Sequence, residues 1–171
     1  INNMKKIYAF LAQGFEETEA LMVIDLMRRS HTIDVVTVSV TDELMVESSH
    51  KVNIKADKLI KDINFDEGNG IFLPGGIPGT PNLEACDMLK QAILKYYKEG
   101  KYLTAICAAP SIYSHLGLLK DKRATCHGSF EKEMDCKEYG GSVVTDGQFV
   151  TANGLGAALE MGLEMVSILD S

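Results

Sequence analysis

Cys107 is the residue of this chain best suited to covalent chemistry. It follows the apolar run Tyr102–Ile106, typical of a buried strand, and precedes Ala108-Ala109-Pro110, where a helix can begin. Small residues allow a sharp turn, the layout of a nucleophile elbow. An ordinary thiol is only about 3% ionised at pH 7, so we expect the helix start and a hydrogen bond to lower the pKa of Cys107 by about one to three units. The alternative is a buried, unreactive cysteine.

Three glutamates follow the first apolar run, Lys5–Ala12: Glu16, Glu17 and Glu19. At about 100° per residue, Glu19 falls inside the apolar stripe of a helix over 16–29, whereas Glu17 points away from it. Burial raises the pKa of a carboxyl group, so Glu19 could carry a proton near pH 7 and donate it to a thiolate. Glu19 could also extend to solvent at the fringe of the stripe. For Glu16 and Glu17 we favour the ordinary role of acids in the first turn of a helix.

The segment Pro74–Gly79 contains three glycines and two prolines, which predict a loop whose backbone amides can approach a ligand and stabilise an oxyanion. It lacks the glycine patterns of nucleotide and dinucleotide sites, so no phosphate cofactor is predicted.

His127 follows an extended segment, Arg123–Cys126, which we expect to be a further strand of the sheet. Its imidazole would then lie above the same edge as the thiol, although spacing alone favours an ordinary surface or core histidine. Cys126, His127 and Cys136 match no common zinc pattern, so we expect no metal.

The elements that must position these residues alternate along the chain. Continuous apolar strands between helices predict a largely parallel sheet with helices on both faces, an α/β fold that binds ligands at the carboxyl ends of its strands. The predicted strands are 5–12, 33–40, 70–73 and 102–106. Two hairpins are predicted, one pairing 44–46 with 52–54 and the other pairing 141–146 with 148–152. The predicted helices are 16–29, 83–99, a short helix after Cys107 that ends at about residue 116, and 156–169.

Length and composition limit the number of domains and the classes of partner that this chain can have. A chain of 171 residues corresponds to about one domain, which we place at 4–171; the start methionine suggests that residues 1–3 lie outside it. A net charge of −7 argues against nucleic acid as the main partner. The uncharged stretch 102–119 contains Pro110 and several polar residues, so we read it as a strand and a helix rather than a membrane span. Four sparse cysteines favour a reducing cytoplasm.

Three segments carry a family resemblance: 14–19 (GFEETE), 73–76 (LPGG) and 105–110 (AICAAP). They resemble the signature segments of the ThiJ/PfpI superfamily, in particular the branch of the parkinsonism-associated protein deglycase, and the resemblance extends from Met4 onward. It implies a flavodoxin-like three-layer sandwich with a mainly parallel sheet, of the class I glutamine amidotransferase-like kind, and a homodimer.

The resemblance also implies a site. Cys107 would be the reactive cysteine, Glu19 its protonated hydrogen-bonding partner and His127 a nearby histidine, and the backbone amides of Gly75, Gly76 and Ala108 would form an anion pocket. The implied activity is that of a glutathione-independent glyoxalase or deglycase, acting without a cofactor on α-oxoaldehydes such as methylglyoxal or on early glycation adducts. The alternative is a redox-sensing or chaperone-like protein whose Cys107 is oxidised to a sulfinate.

Two features of the chain differ from close relatives of the family, and one residue argues against two other activities of the superfamily. His50 stands where close relatives have an arginine that reaches toward the partner subunit, and the chain ends at Ser171, where several relatives continue. Peptidases and amidotransferases of the superfamily carry a histidine directly after the cysteine, whereas this chain has Ala108. Nothing in the residues supports a thiazole or phosphate site.

Overall fold

The computed structural model describes residues 4–170. The expectation about residues 1–3 falls outside this range and stays a prediction. The strands are β1 Lys5–Leu11, β2 Ile33–Ser39, β3 Met45–Glu47, β4 Asn53–Lys55, β5 Lys58–Leu59, β6 Gly70–Leu73, β7 Tyr102–Ile106, β8 Arg123–Ala124, β9 Glu138–Tyr139, β10 Val143–Asp146 and β11 Phe149–Ala152. The α-helices are α1 Glu17–Arg29, α2 Gly79–Glu84, α3 Asp87–Glu99, α4 Pro110–His115 and α5 Ala158–Leu169.

Seven strands form the central sheet, in the order β10-β11-β7-β6-β1-β2-β5. All neighbouring pairs are parallel except β10 with β11. This confirms the predicted, mainly parallel α/β sheet. The carboxyl ends of β1, β6 and β7, the three central strands, lie side by side, so the loops that follow Leu11, Leu73 and Ile106 meet at one edge.

Helices cover both faces of the sheet because successive side chains of a strand point to opposite faces. In β1, Tyr8 and Phe10 belong to the core shared with α3 and α4, whereas Ile7, Ala9 and Leu11 belong to the core shared with α1 and α5. Strands that are apolar on both sides therefore produce the three-layer sandwich.

The predicted hairpin at 44–54 is confirmed by β3 and β4, which pair antiparallel outside the central sheet. Its turn lies beside the loop after β1: the Ser49 N–H donates to the Phe15 carbonyl at 2.7 Å, and the Gly14 N–H donates to the Glu47 carbonyl at 2.8 Å. The hairpin thus brings residues 48–50 to the start of α1.

The prediction of one helix over 83–99 is wrong. Helix α2 already begins at Gly79, and the chain breaks at Cys86, which is extended, before α3 starts. In one continuous helix, Leu83 would lie about 120° away from the stripe that contains Leu89 and Tyr96. The break allows all three side chains to be fully buried in one core.

The expectation that 123–126 adds a strand to the central sheet is also wrong. Only Arg123 and Ala124 are in a strand, β8, and it pairs with β9 in a separate two-stranded sheet. The edge of the central sheet beyond β11 is already occupied by β10.

Within residues 4–170, none of the helices combines the length and the apolar character needed to cross a bilayer.

Candidate functional site

Cys107 lies on a sharp turn between β7 and α4, as the elbow prediction requires. Its φ of 65° is in the left-handed region, which is uncommon for residues other than glycine. Two backbone hydrogen bonds hold this turn: the Cys107 N–H donates to the Ala152 carbonyl at 2.9 Å, and the His127 N–H donates to the Cys107 carbonyl at 2.7 Å. Pro110 occupies the first turn of α4, where no amide donor is lost. The thiol is therefore presented, partly exposed, at the sheet edge.

Glu19 is buried beside this thiol, with 1% of its surface exposed. Helix α1 presents it on the same face as Ala20, Val23 and Met27, which confirms the direction predicted from the apolar stripe. The carboxyl group of Glu19 and the thiol of Cys107 share a hydrogen bond. Helix α1 and the turn between β7 and α4 thus bring an acid and a thiol together at the edge of the sheet.

Gly75 is what permits this approach. Its N–H donates to Glu19 Oε1 at 3.2 Å. A Cβ atom at this position would lie 2.6 Å from the Cβ of Cys107 and 2.7 Å from Glu19 Oε1, distances at which atoms overlap. The Gly75 amide, predicted to bind an anion, therefore orients the acid instead.

Burial, with a smaller contribution from the charge of Glu16, raises the pKa of Glu19 to about 7, although hydrogen bonds with Cys107 and Gly75 act in the opposite direction. The expected upward shift is confirmed. Glu19 consequently changes its protonation state near neutral pH, the range in which a general acid or base is most effective.

The prediction of a lowered thiol pKa is wrong. Burial and the adjacent Glu19 carboxylate raise the pKa of Cys107 to about 12, and only the Ala108 N–H, which donates to the sulfur, lowers it. Helix α4 has six residues, too few for a strong dipole contribution. The repulsion from Glu19 exists only while Glu19 is ionised, so the two groups compete for one proton.

The two remaining amides of the predicted anion pocket belong to Gly76 and Ala108. The Ala108 N–H already points at the sulfur. The Gly75 carbonyl accepts from the Glu16 N–H at 2.9 Å, and a trans peptide then turns the Gly76 N–H away from Glu16. Gly76 has a φ of 101°, and a Cβ there would lie 2.5 Å from the Glu16 nitrogen, so glycine is required.

The imidazole of His127 is exposed. Its Nδ1 contacts Ser129 Oγ at 2.7 Å and accepts from the Ser129 N–H at 3.1 Å, which leaves Nε2 for any proton transfer. Together with Asn153 and Gly154, the histidine lines a cavity of about 520 Å³ at the same edge of the sheet. Only its main chain is bonded to Cys107.

Sequence reasoning missed the role of Glu16. Its Oε2 accepts from the Glu19 N–H at 2.7 Å, which caps α1 and fixes the turn that carries Glu19. The spacing of three residues between Glu16 and Glu19 is that of a capping residue and its target amide. Glutamate is not among the preferred capping residues, so this signal is weak.

Comparison with known proteins identifies the family of this chain. Residues 5–168 match the DJ-1/PfpI family. The chain is 36% identical over 171 residues to Protein DJ-1 homolog B of Arabidopsis thaliana, covering 98% of this chain and 39% of that protein. The chain thus spans about two fifths of the length of this curated relative.

Two further proteins are similar along most of their length. The chain is 28% identical to Glutathione-independent glyoxalase DJR-1.2 of Caenorhabditis elegans, covering 91% of this chain and 83% of that protein. The solved structure named "Toxoplasma gondii DJ-1, oxidized" superposes with a TM-score of 0.92 at 32% identity, covering 96% of this chain and 90% of that one.

Proposed function

We propose, since the chain belongs to the DJ-1/PfpI family, that it is a cysteine-dependent glyoxalase or deglycase acting on α-oxoaldehydes such as methylglyoxal or on their early glycation adducts. The observation that carries this proposal is the buried carboxyl group of Glu19, hydrogen-bonded to the thiol of Cys107 on a sharp turn. A relative named as a glutathione-independent glyoxalase supports it.

In the proposed first step, the sulfur of Cys107 attacks the aldehyde carbon while the Glu19 carboxylate accepts the thiol proton. Proton acceptance by Glu19 removes the repulsion that raises the pKa of the thiol, so attack needs no free thiolate beforehand. The Gly76 amide stabilises the developing oxyanion, and the Ala108 N–H, which donates to the sulfur, passes to that oxygen as the carbon–sulfur bond forms. Glu19 then gives the proton to that oxygen, which completes a hemithioacetal and leaves Glu19 ionised.

In the following steps Glu19 acts again as a base. It removes the hydrogen from the carbon bonded to sulfur and returns a proton to the neighbouring carbon. The hydroxyl proton passes at the same time from the oxygen on the first carbon to the ketone oxygen on the second, which converts the hemithioacetal into a thioester of a hydroxy acid. Water hydrolyses the thioester, releases a hydroxy acid such as lactate and restores the thiol. His127, through Nε2, assists proton transfer or orients the adduct from the wall of the cavity.

The test is lactate production from methylglyoxal by the wild type, Cys107→Ser and the control Cys86→Ser, with circular dichroism to verify folding. We expect Cys107→Ser to be inactive and Cys86→Ser, altered in the break between α2 and α3, to retain turnover. A folded Cys107→Ser protein that produces lactate at a near-normal rate would falsify the proposal.

A redox-sensing role is the second candidate, because the thiol is partly exposed and a similar solved structure is named as oxidized. In this role Cys107 is oxidised by peroxide to a sulfinate, which accepts a hydrogen bond from protonated Glu19. Selective dioxidation of Cys107 in mass spectra, together with negligible aldehyde turnover, would favour the sensor over the enzyme.

We further propose a homodimer in the cytoplasm. Leu21 and Met22 on α1 and Leu159 and Leu163 on α5 are exposed apolar side chains that a second subunit could cover. All four cysteines are free thiols, as expected in a reducing compartment. Light scattering that gives the mass of a single chain at micromolar concentration would reject the dimer.

A further inference from the structure

A second group of polar side chains lies beside the start of α1. The turn between β3 and β4 brings His50 to the glutamates that precede Glu19. Its Nδ1 is 2.9 Å from Glu17 Oε1 and 3.8 Å from Glu16 Oε1. Among residues 4–170, this is the group of three His, Cys, Asp or Glu side chains whose ligand atoms all lie within 4.8 Å of one another.

The two carboxylates are oriented toward the histidine by the protein. Glu16 Oε2 accepts from the Glu19 N–H at 2.7 Å, and Glu17 Oε2 accepts from Ser49 Oγ at 3.3 Å. In each glutamate the other oxygen, Oε1, faces His50 Nδ1. Hydrogen bonds that fix the second oxygen of a carboxylate are the usual support of a metal ligand. Both glutamates are largely buried, whereas the side chain of His50 is 73% exposed, so a small ion can enter from solvent.

A comparison within the chain separates this arrangement from an ordinary ion pair. His115 also contacts two glutamates, but through opposite ring nitrogens: Nδ1 is 2.6 Å from Glu84 and Nε2 is 3.1 Å from Glu133. Atoms on opposite sides of an imidazole cannot bind one ion. At His50 a single nitrogen and two carboxylate oxygens converge on one point.

We propose that Glu16, Glu17 and His50 form a binding site for a divalent transition-metal ion of the zinc type. One imidazole nitrogen and two carboxylate oxygens suit Zn²⁺, with a water molecule completing four-fold coordination. Mg²⁺ should bind poorly at this site, because it favours oxygen donors and one of the three ligands is a nitrogen atom. An arginine at this position always carries its proton and could not coordinate a metal, so the site depends on the histidine.

The experiment is calorimetric titration of Zn²⁺ into the full chain at pH 7, with Mg²⁺ for comparison. The variants are His50→Gln and Glu17→Gln at the site, His115→Gln as the matched histidine control, and Cys107→Ser to exclude the thiol. We expect one Zn²⁺ per chain in the wild type, His115→Gln and Cys107→Ser. His50→Gln and Glu17→Gln should weaken binding at least about tenfold, since loss of even an outer partner has that effect.

Three outcomes would overturn the site: no stoichiometric Zn²⁺ binding by the wild type, wild-type affinity in His50→Gln, or loss of binding in Cys107→Ser, which would place the ion on the thiol. His50 is an exposed turn residue, so His50→Gln should fold normally. His50→Arg provides a second variant that removes the ligand and places a cation beside the glutamates, so it should also weaken Zn²⁺ binding at least about tenfold, and wild-type affinity in it would overturn the site. Binding is measured without any substrate, so the result is independent of the proposed glyoxalase or deglycase activity.

Discussion

Glu17 and Glu19 lie two residues apart in the first turn of α1, yet the pKa values of their carboxyl groups move in opposite directions. Burial raises the pKa of Glu19 to about 7. Burial also acts on Glu17, but hydrogen bonds from its own backbone amide, His50 and Ser49 outweigh it and lower its pKa. The partners that the fold supplies, and not the position in the helix, therefore decide which acid can move a proton at neutral pH.

The largest expected difference is in turnover. Glu19→Gln keeps the shape of the side chain but cannot accept the thiol proton, so we expect kcat/KM for methylglyoxal to fall by about 10²- to 10⁴-fold. Glu17→Gln should stay within about twofold of the wild type, because Glu17 faces His50 and not the sulfur. Equal losses in both variants would contradict the distinction between the two acids.

A second change tests whether contact with Glu19 makes the thiol reactive. In Gly75→Ala, the new Cβ would overlap both Cys107 and Glu19 and force them apart. We expect turnover to fall by about 100-fold, as for a displacement of reacting groups by about 1 Å, and the free energy of unfolding to fall by about 1–3 kcal/mol. The control Gly156→Ala, with open space around the new methyl group, should change neither. Normal kinetics in Gly75→Ala would show that the contact is dispensable.

A third test uses pH. Glu19 must be ionised to accept the thiol proton, and its pKa is about 7, so kcat/KM should rise about tenfold between pH 6 and pH 8 and level off above that. Glu17 titrates below its ordinary value of 4.5 and contributes nothing in this range. The profile of Glu17→Gln should match the wild type, whereas residual activity in Glu19→Gln should lose the rise. A flat wild-type profile would exclude Glu19 as the base.

The smallest effect concerns stability. The folded-state pKa of Glu17 is lower than its unfolded value of 4.5, so its contribution is present above pH 4.5 and is lost as the pH falls through the folded pKa. Its partners are near the surface, so Glu17→Gln should reduce the free energy of unfolding at pH 7 by less than about 1 kcal/mol. Urea unfolding at pH 7 and pH 3 measures this, and the variant and wild type should differ less at pH 3. A larger difference at pH 3 would reverse the assigned sign.

Local patterns in the sequence predicted the framework of this site. The apolar stripe of α1 indicated that Glu19 is buried, and the short run from Cys107 to Pro110 indicated the elbow. Both signals depend on neighbours within a few residues. The parallel sheet followed for the same reason, since its strands are continuous apolar segments.

Sequence patterns did not predict the features that depend on contacts between residues distant in the chain. The upward pKa shift of Cys107 depends on burial and on Glu19, which is distant in the chain, and α4 is only six residues long. The break at Cys86 depends on the core beneath both helices. The convergence of Glu16, Glu17 and His50 depends on how a hairpin packs against a loop. None of these leaves a periodic signal.

The most direct test of the account is the titration of Glu19 itself, followed by NMR in protein with ¹³C-labelled glutamate carboxyl groups and assigned from the spectrum of Glu19→Gln. We expect a midpoint near pH 7 for Glu19. A midpoint at or below the ordinary value of 4.5 would mean that Glu19 does not exchange a proton with Cys107 at neutral pH, and the proposed chemistry would be contradicted.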